Sequence, residues 1–145
     1  MAKLPVHWIE ARAYCHATED EARVAQALDA ACPAGDTERE SLEGHFGNPL
    51  VRLTRRVEEA KTIRSVWERW TTAAGLLEDI ARDVESRLDD DGILHFRIDK
   101  QAAHLEKLVL AQDADTIDVR LKLMAFPAKR EVARQLARSV LAGGL

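Results

Sequence analysis

Four stretches of this 145-residue chain alternate apolar and polar residues with a period of two, and each polar set carries cations. Val6 to Ala17 groups Trp8, Glu10, Arg12 and Tyr14 on one face. Leu50 to Val57 groups Arg52, Thr54 and Arg56, Ile93 to Lys100 groups His95, Arg97 and Asp99, and Thr116 to Phe126 groups Asp118, Arg120 and Lys122. In a half-buried strand one set meets the core and the other faces away. The outward set then holds Arg12, Arg52, Arg56, Arg97, Arg120 and Lys122 against Glu10, Asp99 and Asp118, a net positive face in a chain of formal charge −4. Guanidinium groups grip phosphate, and aromatic rings such as Tyr14 and Trp8 stack on bases, so this is the equipment of an RNA-binding sheet. The same residues also read as ordinary cross-strand ion pairs on a wet face, and alternation alone leaves both readings open.

A second basic group lies near the C-terminus. Lys129, Arg130, Arg134 and Arg138 fall within ten residues, opposed only by Glu131. Cations late in a helix complement its dipole, which accounts for Arg134 and Arg138. Lys129 and Arg130 sit at the expected helix start, where positive charge is unfavourable, so they are the candidates for binding an anion. Lys100 and Gln101 end a strand, where a chain leaving the sheet presents donors to a phosphate or a 2′-hydroxyl. The candidate RNA-binding set is therefore Arg97, Lys100, Gln101, Lys129 and Arg130, with Arg12 and Tyr14 at its margin. His45 is expected near Arg97 or Lys100, because the turn that follows it needs only Gly47, Asn48 and Pro49.

No nucleophile elbow, phosphate-cradling glycine loop or HExxH occurs, so no catalytic residues are assigned. Cys15 and Cys32 form no CxxC, and the five histidines show no HxxxH or HxH spacing, so no metal or cofactor is expected. The run Asp89-Asp90-Asp91-Gly92 lacks the spaced ligands of a calcium loop and reads as a turn. With 46% hydrophobic and 32% charged residues, the composition suits one domain over residues 1–145 with a proper core. No apolar run approaches a membrane span and the first residues do not resemble a signal peptide, so the cytoplasm is the expected location.

The elements that position these residues follow from the same patterning. A strand over Val6–Ala17 precedes a helix opened by Thr18 and Glu21 as a capping box. Glu38–Phe46 and Leu50–Val57 read as a hairpin. Helices are expected over Glu58–Trp70 and Thr72–Leu88, with Gly75 marking a kink or the boundary between them. Ile93–Lys100, Leu108–Leu110 and Thr116–Phe126 read as strands, the last two paired across a turn. Pro127 is expected in the first turn of a final helix that buries Val132, Leu136 and Val140. The order β-α-β-β-α-α-β-β-β-α predicts an α+β fold, a largely antiparallel sheet with helices packed on one face.

Four segments together carry a family resemblance. They are Tyr14-Cys15-His16-Ala17-Thr18-Glu19-Asp20, Glu43-Gly44-His45-Phe46-Gly47-Asn48-Pro49, Phe96-Arg97-Ile98-Asp99-Lys100-Gln101-Ala102-Ala103 and Phe126-Pro127-Ala128-Lys129-Arg130-Glu131. In order and spacing they resemble the archaeal RNA-binding family described as predicted exosome subunits, over nearly the whole chain. The resemblance implies a sandwich similar to ribosomal protein L5, RNA as partner, and a link to the exosome or other RNA-processing proteins. The alternative is a protein–protein adaptor in such an assembly that makes no RNA contact of its own.

Overall fold

The computed structural model describes residues 4–44 and 47–142. Its core is built on one face of a five-stranded sheet: β1 (Val6–His16), β2 (Thr37–Glu43), β3 (Pro49–Val57), β4 (Ile93–Asp99) and β5 (Thr116–Leu123), in the spatial order β2-β3-β1-β5-β4. All four pairings are antiparallel. The helices are α1 (Glu21–Ala31), α2 (Ala60–Thr71), α3 (Leu76–Arg82), α4 (Val84–Arg87), α5 (Lys100–His104) and α6 (Arg130–Leu141). The fold is α+β with helices on one face, as the patterning requires.

Alternation decides which side of the sheet they cover. Leu94, Phe96, Ile98, Ile117, Val119 and Leu121 are buried, while Arg97 is exposed. Small residues at Ala11 and Ala13 on the central strand let α1 and α2 approach closely. Trp70 of α2 meets Phe96 edge-on with ring centroids 5.2 Å apart, and its Nε1 donates to the Ala31 carbonyl at 2.8 Å, so the buried indole leaves no donor unsatisfied. Arg55, missed as a structural residue in the sequence, donates to the Cys32 carbonyl and to Asp29, both at 2.7 Å, and ties β3 to the end of α1.

Several expected details are corrected. The alternation of β1 breaks at a bulge between Val6 and Trp8, so Val6 is buried and His7 exposed, the reverse of a continuous period of two. Asp20, not Thr18, caps α1, accepting from the Ala22 amide at 2.9 Å. The expected helix over Thr72–Leu88 begins only after Gly75, whose φ of +80° suits glycine, and it breaks again at Asp83. Leu108–Leu110 does not pair with β5, because β1 and β4 already occupy both of its edges. Leu110 instead makes an isolated bridge to Ile98 on the outer edge of β4. Between them lies α5, which the sequence reading missed; Asp99 caps it by accepting from the Ala102 amide at 2.9 Å. Pro127 precedes α6 rather than opening it, Lys129 stands at its N-cap, and Ala133, Ala137, Val140 and Leu141 line its buried side, with Val132 and Leu136 only half-buried.

Both cysteines are free and buried, Cys15 beside α1 and Cys32 at its end. Burial pushes the Cys32 thiol up to about 11, and Cys15 is raised by burial and by nearby Glu19. The thiolate is the reactive form, so native protein near pH 8 should label slowly at both positions. Unfolding without reductant should release two reactive thiols; a count of zero would mean a disulfide and an oxidised fold.

Candidate nucleic-acid interface

Among the described residues no helix packs across the opposite face of the sheet; Ser86 and Arg87, at the end of α4, reach its rim. Register places its side chains in rows: Tyr14 lies opposite Arg52, Glu10 between Arg56 and Arg120, Arg12 between Thr54 and Asp118, and Trp8 opposite Lys122. On the neighbouring pair His95 lies opposite Arg120 and Arg97 opposite Asp118. Cations from four strands are thereby gathered on one surface although they are scattered through more than one hundred residues of sequence.

Glu10 is the hub of this surface. Its carboxylate, one-tenth exposed, accepts from Arg120 at 2.6 Å, Arg56 at 3.4 Å and Arg12 at 3.4 Å. Burial opposes its charge, but the Arg120 hydrogen bond and the positive field of Arg120 and Arg12 outweigh it and hold the carboxyl below its ordinary value. Arg56 lies 4.3 Å and Arg120 5.7 Å from the centre of the Trp8 ring, within cation–π range. One carboxylate and one indole thus orient three arginines whose side chains remain a third or more exposed. Arg56 also pairs with Glu58 at 2.7 Å, so two negative charges against three positive ones leave the cluster with one net positive charge.

Two shallow clefts flank Arg12. One, of about 460 Å³, is lined by Arg12, Arg87, His95, Arg97 and Arg120 together with Glu10 and Asp118, with Ser86 and Ala111 on its wall. The other, of about 520 Å³, runs toward β2 and is lined by Arg12, Arg39, Arg52 and Thr54 together with Glu38 and Glu40. Arg52 pairs with Glu40, so the second cleft is the less positive. The Nε groups of Arg12 and Arg87 are buried with no hydrogen-bond partner in the protein, and both belong to residues lining the first cleft. Arg97 is the most exposed of the set, at 70% of its side chain, and among the described residues its ion pair is with Asp118, at 3.5 Å. His95 is held by Asp89 at 2.8 Å. Burial raises the Asp89 carboxyl, but His95 and the amides of Ile93 and Asp91 more than reverse this, so it lies below its ordinary value. Asp89 therefore organises a turn, accepting from Asp91 and Ile93.

Of the residues singled out from the sequence, Arg97, Arg12 and Tyr14 share this face. Gln101 is exposed at the start of α5 and donates to Asp115 at 2.8 Å. Lys100 is corrected: only 3% exposed, it faces inward, where its ammonium donates to the Tyr14 carbonyl at 2.9 Å and pairs with Glu19 at 2.9 Å and Asp115 at 2.8 Å. It has no donor left for a phosphate, because α5 turns the strand end back toward the core. Arg130, half-buried, makes contacts within the protein. Its guanidinium donates to the Glu85 and Leu88 carbonyls at the end of α4 and approaches Asp90 at 3.6 Å. The charge that is unfavourable at its own helix start is thus met by the C-terminal carbonyls of a neighbour. Arg134 and Arg138 both pair with Glu85. Lys129 is exposed. His45 lies outside the described residues. The sequence reading gave Trp8 a base-stacking role and counted Glu10 only as a counter-charge of the outward set; it did not foresee that the two together orient the arginines, and Arg87 carried no signal.

Comparison with known proteins places this surface in context. A family model described as RNA binding matches residues 8–123, the span that runs from β1 to the end of β5. The chain is 34% identical to the RNA-binding protein PAB1135 of Pyrococcus abyssi, with 97% of each chain covered. Among solved structures, Mth689 of Methanothermobacter thermautotrophicus superposes with a TM-score of 0.82 at 34% identity, covering 94% of this chain and 98% of that one. AF2318 of Archaeoglobus fulgidus gives 0.84 at 32% identity, covering 93% and 99%. A match that takes in all five strands and the uncovered basic face between them makes this chain a member of the RNA-binding family.

Proposed function

We propose that the protein is an RNA-binding accessory factor that holds the RNA backbone on the uncovered sheet face, chiefly through Arg12, Arg97 and Arg120. The observation that carries this reading is the bare face itself, where Glu10 and Trp8 hold guanidinium groups from three strands in place. Fixing such long side chains in advance lowers the entropic cost of gripping a phosphate. Tyr14 stands at the margin with Arg52, and Gln101 reaches the rim. The family resemblance extends the proposal to an L5-like fold, to the cytoplasm, and to work beside the exosome or another RNA-processing assembly, as a binding protein and not an enzyme. The exposed edge strand β2 alternates Glu38, Arg39 and Glu40, charges that discourage pairing with a partner strand, which weighs against the adaptor alternative.

Titration of the wild-type protein with a hairpin and a single-stranded RNA at two salt concentrations tests the reading. Binding should weaken steeply with salt. Arg97→Ala should lower the salt slope by about one unit and weaken binding several-fold. Its melting temperature should barely change, because Arg97 is mostly exposed and its ion pair with Asp118 is a surface one. Wild-type protein that binds neither RNA at low salt would hand the face to the adaptor alternative.

A further inference from the structure

Phe126 lies beyond the span matched by the family model and has no place in the core. The residue is 95% exposed, the most exposed large hydrophobic among the described residues. Isolated exposed apolar residues are common on protein surfaces. Two features distinguish this one. The segment that carries it is tied on one side by the Met124 amide donating to the Pro5 carbonyl and runs on the other into α6 through a tight turn in which the Lys129 amide donates to the Pro127 carbonyl, each at 2.8 Å. Its neighbours Ala125 and Ala128 line a cleft of about 230 Å³ that also contains His7, Lys122 and the exposed Lys129. Lys122 belongs to the basic sheet face, opposite Trp8, so the cleft continues that face toward the start of α6.

We propose that Phe126 is a stacking platform for one unpaired nucleobase, with Lys129 on the adjoining phosphate. The proposal rests on the RNA reading above and specifies it: the favoured RNA has an unpaired nucleotide beside the backbone held by the sheet. The aromatic residues of the sheet cannot take this role as readily, since Arg56 lies on the Trp8 ring and Tyr14 is half-buried. An aromatic side chain held in water by an anchored segment loses little freedom on stacking, and base–aromatic stacking tolerates any base. The cleft also holds Asp90 and Asp91, whose charge repels phosphates and leaves the backbone to the Lys129 side. Asp90 is itself engaged by Arg130.

The test compares a single-stranded oligoadenylate of roughly 12 nucleotides with a blunt RNA duplex, using wild-type protein and three variants. Phe126→Ala should weaken binding to the oligoadenylate about 5- to 100-fold with the salt slope unchanged, because no charge is lost. Phe126→Trp should restore binding and Phe126→Leu should not. Lys129→Ala should instead flatten the slope by about one unit. Binding of the duplex should be insensitive to Phe126. Melting curves should coincide for all variants, since neither side chain is packed. Wild-type affinity in Phe126→Ala, or full rescue by leucine, overturns the stacking role while leaving the sheet reading intact. Absence of any binding by the wild-type protein overturns both.

Discussion

Lys100→Met is expected to destabilise the protein by about 3 kcal/mol, the size of effect seen when one partner is removed from a buried ion pair. The methionine fills the volume of the side chain but strands three acceptors: the Glu19 and Asp115 carboxylates and the Tyr14 carbonyl. Tyr14 and Glu19 come from the end of β1 and the loop that follows it, and Asp115 from the turn before β5, so one ammonium ties the end of β4 to two separate parts of the chain. Chemical denaturation should show the loss as a lower midpoint. The pH profile gives a second check. Burial opposes the charge of Asp115, but Lys100 and Gln101 outweigh it and hold its carboxyl below the ordinary 3.8. A depressed carboxylate contributes stability above its unfolded pKa, lost as pH falls through the lower folded one. Lys100 has the opposite sign. Burial opposes its charge too, yet the Asp115 and Glu19 hydrogen bonds raise it above 10.5, so its contribution is present below that value and disappears only at higher pH. Wild-type stability should therefore fall off below about pH 4 and again in strong alkali, and the variant should lose less at both ends. Equal stability of variant and wild type would show that water, not Lys100, satisfies these acceptors.

Glu10→Gln should move stability and RNA affinity in opposite directions. The amide keeps the shape of the side chain but removes the charge that draws Arg12, Arg56 and Arg120 together. Three guanidinium groups then repel one another, and the expected cost is about 2 kcal/mol, moderated because all three are partly exposed. The same change frees their charge for phosphate. Affinity for RNA at low salt should rise several-fold and the salt slope should steepen by about one unit. A purely structural cluster would lose stability with no change in binding, so unchanged affinity and salt slope in a folded variant would remove this face from the interface, while weakened binding would mean that the lost orientation of the arginines outweighs the freed charge. The depressed pKa of Glu10 adds a pH signature: its contribution to stability lies above its ordinary 4.5 and is lost as pH falls through the lower folded value, and the variant should lack that part of the acid limb.

Much of this architecture is written locally. Period-two alternation in Ile93–Asp99 and Thr116–Leu123 assigns Phe96 inward and Arg97 outward without reference to any other part of the chain, because a one-residue slip would put every apolar residue in water. The same rule collects the arginines on one face, and local turn and cap chemistry marks Asp99 as a helix start, a signal present in Asp99-Lys100-Gln101-Ala102 though overlooked. What alternation could not supply is the partner of each charge. Lys100 reads as the solvated end of a strand until α5 turns it under the sheet, where Glu19, 81 residues earlier, meets it. Arg130 reads as an unfavourable charge at a helix start until α4 brings its terminal carbonyls alongside. The bulge at Trp8 and the position of Leu110 likewise depend on which strand edges are already taken. The sequence by itself thus determined which side chains face the core and that the opposite face is basic, since both follow from spacing along one strand. Only the tertiary structure decided which of those cations remain open to a ligand, because that depends on counter-charges delivered from distant segments.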